Sequence, residues 1–158
     1  MSEESIRDFE DLLLLFDEHE VRYLIVGGLA FIYHAKPRYT KDMDLWVEAT
    51  GANLAKANAA LTEFGSPMLL SESAPAEIVQ IGVAPNRIDL LQKVGSQPFE
   101  AAWDARVIDA YGRAPASWID LDTLLRVKEA IDAPRHQEDA RVLREVKRLR
   151  ERDLPPSD

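Results

Sequence analysis

Asp42 and Asp44 stand one residue apart at the start of a short apolar run, and Asp89 lies inside a later one. Side chains at i and i+2 of a strand share a face, so a strand beginning here sets the first two carboxylates side by side. At roughly 4 Å and an effective dielectric of about 20, two such charges repel by about 4 kcal/mol. A bound cation relieves that repulsion. The chain has no cysteine and only three histidines, which leaves oxygen donors and therefore a hard divalent ion, Mg2+ or Mn2+. Gly27 and Gly28 close another apolar run just before a helical pattern. Glycines there let backbone N–H groups approach a phosphate closely, and a helix N-terminus adds partial positive charge. An ordinary strand-to-helix turn is the competing reading of the same pair. The acidic pair has competing readings as well: Asp42 caps a strand or pairs with Arg38 or Lys41, and Asp44 alone is an edge charge.

These residues need a sheet to carry them. Residues 23–26 and 43–47 read as strands, the second with Asp42 and Asp44 at its start, and residues 29–34 read as the helix after the glycines. A loop over 36–41 holds Pro37, Arg38 and Lys41. Residues 78–83 and 87–91 are β-prone runs flanking Ala84-Pro85-Asn86, a hairpin signature. Alternation on the second run places Arg87, Asp89 and Leu91 on one face and Ile88 and Leu90 on the other. Ile6, Phe9, Leu12, Leu13 and Phe16 fall at helical spacing over 5–20, with Ser5 as the cap. A second helix spans 53–64 and stops at Gly65, a short one opens at 99–103, and 106–118 reads as two edge-like strands turning at Tyr111-Gly112. Helices over 121–131 and from Pro134 to about residue 150 finish the chain. Trp46, Trp103 and Trp118 are expected in the core or at an interface. The tail 153–158 is expected to be disordered.

With 158 residues and 46% hydrophobic content, the chain is long enough for one proper core, and residues 1–152 read as one domain. No apolar stretch approaches the roughly 20 residues of a membrane span, and the acidic start is unlike a signal peptide. A cytoplasmic protein is expected. The formal charge of -9 disfavours broad nucleic-acid binding, which depends on neutralising many phosphates.

Taken together, Val26-Gly27-Gly28-Leu29-Ala30, the run from Pro37 through Arg38, Thr40, Lys41, Asp42 and Asp44 to Leu45, and Arg87-Ile88-Asp89-Leu90-Leu91 resemble the nucleotidyltransferase superfamily that includes DNA polymerase beta. The wording from Pro37 to Leu45 is similar to small stand-alone bacterial members of the abortive-infection toxin type. The resemblance covers about residues 20–150. It implies an α/β (α+β) nucleotidyltransferase fold, a small mixed sheet flanked by helices with two C-terminal helices. It also implies metal-dependent transfer of a nucleotide from an NTP to an acceptor, with release of pyrophosphate. Asp42 and Asp44 would bridge two metals, and Asp89 would complete the one that activates the acceptor hydroxyl. Gly27 and Gly28 would lie under the triphosphate. Arg38 and Lys41 either help bind phosphate or acceptor or form a solvated loop. Lys128 or Arg135 either neutralises the triphosphate or forms a helix-surface salt bridge. Relatives carry an Arg-Pro-Lys-Asp-like stretch after the lysine. Here Pro134-Arg135-His136 has histidine where an aspartate is expected, and His136 reads as structural, as does His34 against the carbonyls of its own helix end. Such a core does not choose among small-molecule, tRNA and protein acceptors. The second reading is a weakly or non-catalytic partner protein of a toxin–antitoxin or phage-defence pair.

Overall fold

The computed structural model describes residues 3–40, 42–83 and 85–153, with side chains from residue 7. Lys41, Ala84 and the tail beyond Asp153 lie outside the described residues. The elements in chain order are α1 (Glu3–Glu18), β1 (Tyr23–Val26), α2 (Gly27–His34), β2 (Asp42–Val47), α3 (Gly51–Phe64), β3 (Val79–Ile81), β4 (Arg87–Leu91), α4 (Phe99–Asp104), β5 (Val107–Tyr111), β6 (Ala114–Trp118), α5 (Leu121–Glu129) and α6 (Pro134–Asp153). The strands form one sheet in the order β3-β4-β2-β1-β6-β5. β2 runs parallel to β4 and β6 parallel to β1, while the other neighbours are antiparallel.

Strand alternation sorts the core into two layers. Tyr23, Ile25, Met43, Leu45, Ile88 and Leu90 point to the face covered by α1 and α3. Leu24, Val26 and Trp46 point to the face covered by α2, α4, α5 and α6. Asp42 and Asp44 share the phase of Trp46, so they lie on the second face, where the two C-terminal helices also pack.

Several boundaries differ from the sequence reading. Ser5 lies inside α1, two residues past its first residue, Glu3. Gly27 and Gly28 form the first turn of α2 itself. α3 starts two residues early because the Thr50 hydroxyl caps it, accepting from the Asn53 N–H at 3.2 Å. Of the two strands read as edge-like, only β5 lies at an edge; β6 lies between β5 and β1. α5 stops at Glu129, and α6 continues to Asp153. Trp46 and Trp118 are core residues. Trp103 is half-buried, with the Arg106 guanidinium 3.8 Å from its ring centroid.

Candidate active site

β2 and β4 pair in parallel with Asp44 opposite Asp89 and Asp42 opposite Arg87. That register brings Asp42, Asp44 and Asp89 together: each offers a carboxylate oxygen within 4.8 Å of the others'. The sheet thus joins two strands 45 residues apart, which alternation within either strand does not reveal. Burial first, and the charges of Asp42 and Asp89 second, push the Asp44 carboxyl up to about 7. Burial also raises Asp89, against the opposing pull of Arg87.

Arg87 is the counter-charge of the cluster. Its Nη2 donates to Asp42 Oδ2 at 2.6 Å, and its Nε lies 3.2 Å from Asp89 Oδ1. Asp42 therefore pairs with Arg87 and not with Arg38. The sequence had set Arg87 on the face of Asp89, and the missing step was the β2–β4 register.

The glycines stand against this cluster. Gly27 has φ +67°, and a Cβ there would run into Asp44 Oδ2. A Cβ on Gly28 would come 2.8 Å from Thr40 Oγ1, whose hydroxyl donates to the Asp42 carbonyl at 3.3 Å. Val26, at the N-cap of α2, gives no side-chain cap, which leaves the first N–H groups of the helix for another acceptor. A cavity of about 200 Å³ opens beside them, reached by Gly27, Asp44, Lys93, Lys128 and His136 over a floor of apolar side chains such as Val127.

The basic residues divide. Lys128 is buried; its Nζ pairs with Asp139 Oδ2 at 2.9 Å and donates to His136 Nδ1 at 3.2 Å. Arg38 also goes to Asp139, with its Nη2 and Nη1 donating at 2.5 and 3.1 Å, and its guanidinium lies 3.8 Å from the Phe31 ring centroid. Burial alone would raise the Asp139 carboxyl, but Arg38 and Lys128 outweigh it and hold the group below its ordinary range. Arg135 is exposed in the first turn of α6. Lys93, four residues past Asp89, was missed; its position continues the alternation that the sequence reading ended at Leu91. His34 is buried with its Nε2 2.6 Å from the Ile119 carbonyl, and not against its own helix end.

Three carboxylates of this kind fit a hard divalent cation by donor chemistry, closeness and mutual repulsion. No helix among the described residues is long and apolar enough to cross a membrane.

No protein-family model and no curated protein sequence matches the chain. Solved structures do. The solution structure of the antibiotic-resistance factor ANT(2'')-Ia superposes with a TM-score of 0.59 at 16% identity, over 96% of this chain and 92% of that one. A crystal structure of ANT(2'')-Ia with adenylyl-2''-tobramycin gives 0.55 at 15% identity, over 93% and 95%. The lincosamide antibiotic adenylyltransferase LnuA, bound to lincomycin, gives 0.59 at 15% identity, over 92% and 98%. The chain has the nucleotidyltransferase fold.

Proposed function

We propose that this chain is a metal-dependent nucleotidyltransferase that moves a nucleotide from an NTP to an acceptor hydroxyl. The acceptor oxygen bonds to the α-phosphorus, the bond to the β-phosphate oxygen breaks, and pyrophosphate leaves. The observation that carries this reading is the convergence of Asp42, Asp44 and Asp89 beside the uncapped start of α2. Those carboxylates would hold Mg2+ or Mn2+, which, when bound, neutralises phosphate charge and eases loss of the acceptor proton. The rest is positioning by the chain itself. Gly27 and Gly28 clear a path to the N–H groups of α2 for the phosphates. Lys128, steadied by Asp139, brings an ammonium to the same cavity, and Lys93 adds a second. Asp44 must give up its proton before it can serve as a ligand, so cation binding releases protons near neutral pH.

ANT(2'')-Ia was captured with adenylyl-2''-tobramycin and LnuA with lincomycin, which supports testing small molecules before tRNA or protein as acceptors. Labelled NTPs, Mg2+ and the small-molecule fraction of a cell extract, read by pyrophosphate release and mass spectrometry, form the test. Metal-dependent label transfer that disappears in Asp44→Asn is expected. In parallel, Mg2+ with NTP at about 100 times its dissociation constant stabilises the fold by roughly 2.7 kcal/mol. Neither transfer nor a rise in melting temperature with any NTP sinks the proposal.

A further inference from the structure

The Lys128 ammonium carries three N–H groups and no lone pair, so every partner it meets must accept. Two partners are fixed: Asp139 Oδ2 at 2.9 Å and His136 Nδ1 at 3.2 Å. His136 and Asp139 stand three residues apart on α6, which puts both on one face of the helix and against the same ammonium. Because Nδ1 accepts, it carries no proton, and the one N–H of the neutral ring is on Nε2. Lys128 thereby sets the tautomer of His136. The two bonds in turn fix the direction of the third Lys128 N–H, and Lys128 lines the cavity that Gly27, Asp44 and Lys93 share with it.

Charge decides what that N–H can hold. Arg38 and Lys128 bring two positive charges to Asp139, which supplies one negative charge. Both Asp139 oxygens are engaged, Oδ1 by Arg38 Nη2 and Oδ2 by Arg38 Nη1 and Lys128. A neutral acceptor at position 136 leaves the set one charge positive, whereas a carboxylate there would cancel that charge. A protonated imidazole would lose the acceptor and repel the ammonium. Burial first, then the charges of Lys128, Arg135 and Arg38, hold His136 below its ordinary range, with Asp139 pulling the other way. The ring is neutral at neutral pH.

We propose that His136 is a positioning residue: as a neutral acceptor it aims the Lys128 ammonium into the cavity beside Asp44 and leaves the surplus positive charge there for a phosphate-type anion. The assignment rests on the reading that phosphates occupy this cavity. It does not need the transfer step.

Asparagine and aspartate both place an acceptor oxygen where His136 has Nδ1, and they differ from each other in charge. Calorimetric titration of the metal-free protein with inorganic tripolyphosphate, slightly above neutral pH, compares them. His136→Asn is expected to bind within about twofold of the unaltered protein, His136→Asp about tenfold more weakly, and His136→Leu, which has no acceptor, about fivefold more weakly. Melting temperatures are read on the same samples, because a residue that only stabilises the fold would move those and leave the affinities alike. 15N NMR of the unaltered protein is expected to show the His136 proton on Nε2 and a bare Nδ1. Equal affinities in His136→Asn and His136→Asp overturn the proposal, as does a protonated Nδ1. Absence of tripolyphosphate binding to the unaltered protein overturns it too. Should His136→Asp fail to fold, His136→Asn against His136→Leu decides in its place, and equal binding by those two sinks the assignment. The expected order of affinities in a protein that transfers no nucleotide would keep His136 in this role and remove the reaction alone.

Discussion

Asp44 is placed where its own charge is unwelcome, and that makes its titration a readout of the site. Its folded pKa of about 7 lies above an unfolded value of about 3.9. The folded state therefore keeps a proton that the unfolded state has lost. The stability this contributes is full below about pH 4 and is lost as pH rises through about 7. Urea unfolding of the metal-free protein should show a midpoint that declines across that window, and Asp44→Asn should remove the decline. If the variant instead unfolds at every pH, Asp44 is a structural acceptor and not a ligand held in reserve. Arg87 tests the same cluster from the opposite sign. Bridging Asp42 and Asp89, it offsets part of the negative charge that a cation would feel. Arg87→Gln should lower the stability of the metal-free protein and tighten Mg2+ binding by roughly fivefold, about 1 kcal/mol. Calorimetric titration with Mg2+ alone measures it, and weaker binding would mean that Arg87 orients the carboxylates more than it competes for them.

Two helices end in the same hydrogen-bond motif, with different residues in the left-handed position. After α3, Gly65 (φ +90°) donates to Thr62 and Ser66 to Leu61; after α1, Glu20 (φ +56°) donates to Asp17 and Val21 to Phe16. Glycine takes that conformation without strain, whereas glutamate takes it at a cost. Glu20→Gly should therefore stabilise the protein by about 0.5–1 kcal/mol in urea unfolding, the left-handed strain relieved exceeding the entropy that glycine adds to the unfolded chain. The stop at Gly65 was legible in sequence for this reason, whereas the sequence reading ended the first helix at Glu20 on apolar spacing, since glutamate carries no signal for a left-handed turn. The same contrast explains what else could be read. Period-two alternation placed Asp42 with Asp44 and Arg87 with Asp89, because each pair lies within one strand. Which strands meet depends on burial across the whole sheet, so the Asp44–Asp89 register and the interior position of β6 are tertiary facts with no local signal. The caps at Thr50 and Asp120 are local, and the sequence reading missed Thr50 beside Gly51.

Asp139 shows how the molecule as a whole is held around the site. A carboxylate 2% exposed receives Arg38 from the segment after α2 and Lys128 from α5 while itself lying on α6. It therefore ties together three parts of the chain that border the cavity beside Asp44. Removing one member of such a buried set leaves the others charged and unpaired, at a cost of about 3–5 kcal/mol, a large fraction of the 5–15 kcal/mol that holds a typical domain together. Its pH dependence has the opposite sign to that of Asp44. Because Arg38 and Lys128 depress its folded pKa, the stability it contributes is present above its unfolded value of about 3.9 and is lost as pH falls through the folded one. Metal-free stability should then have two limbs, an acid limb set by Asp139 and a decline toward neutrality set by Asp44. Asp139→Asn should lower the urea midpoint near pH 6 and flatten the acid limb alone, leaving the decline toward about pH 7 in place. An acid limb that survives in Asp139→Asn would assign acid unfolding to other carboxylates. Loss of the neutral limb in that variant would mean that the α5–α6 tie and the Asp42–Asp44–Asp89 cluster form one cooperative unit, through the cavity that Asp44 and Lys128 share.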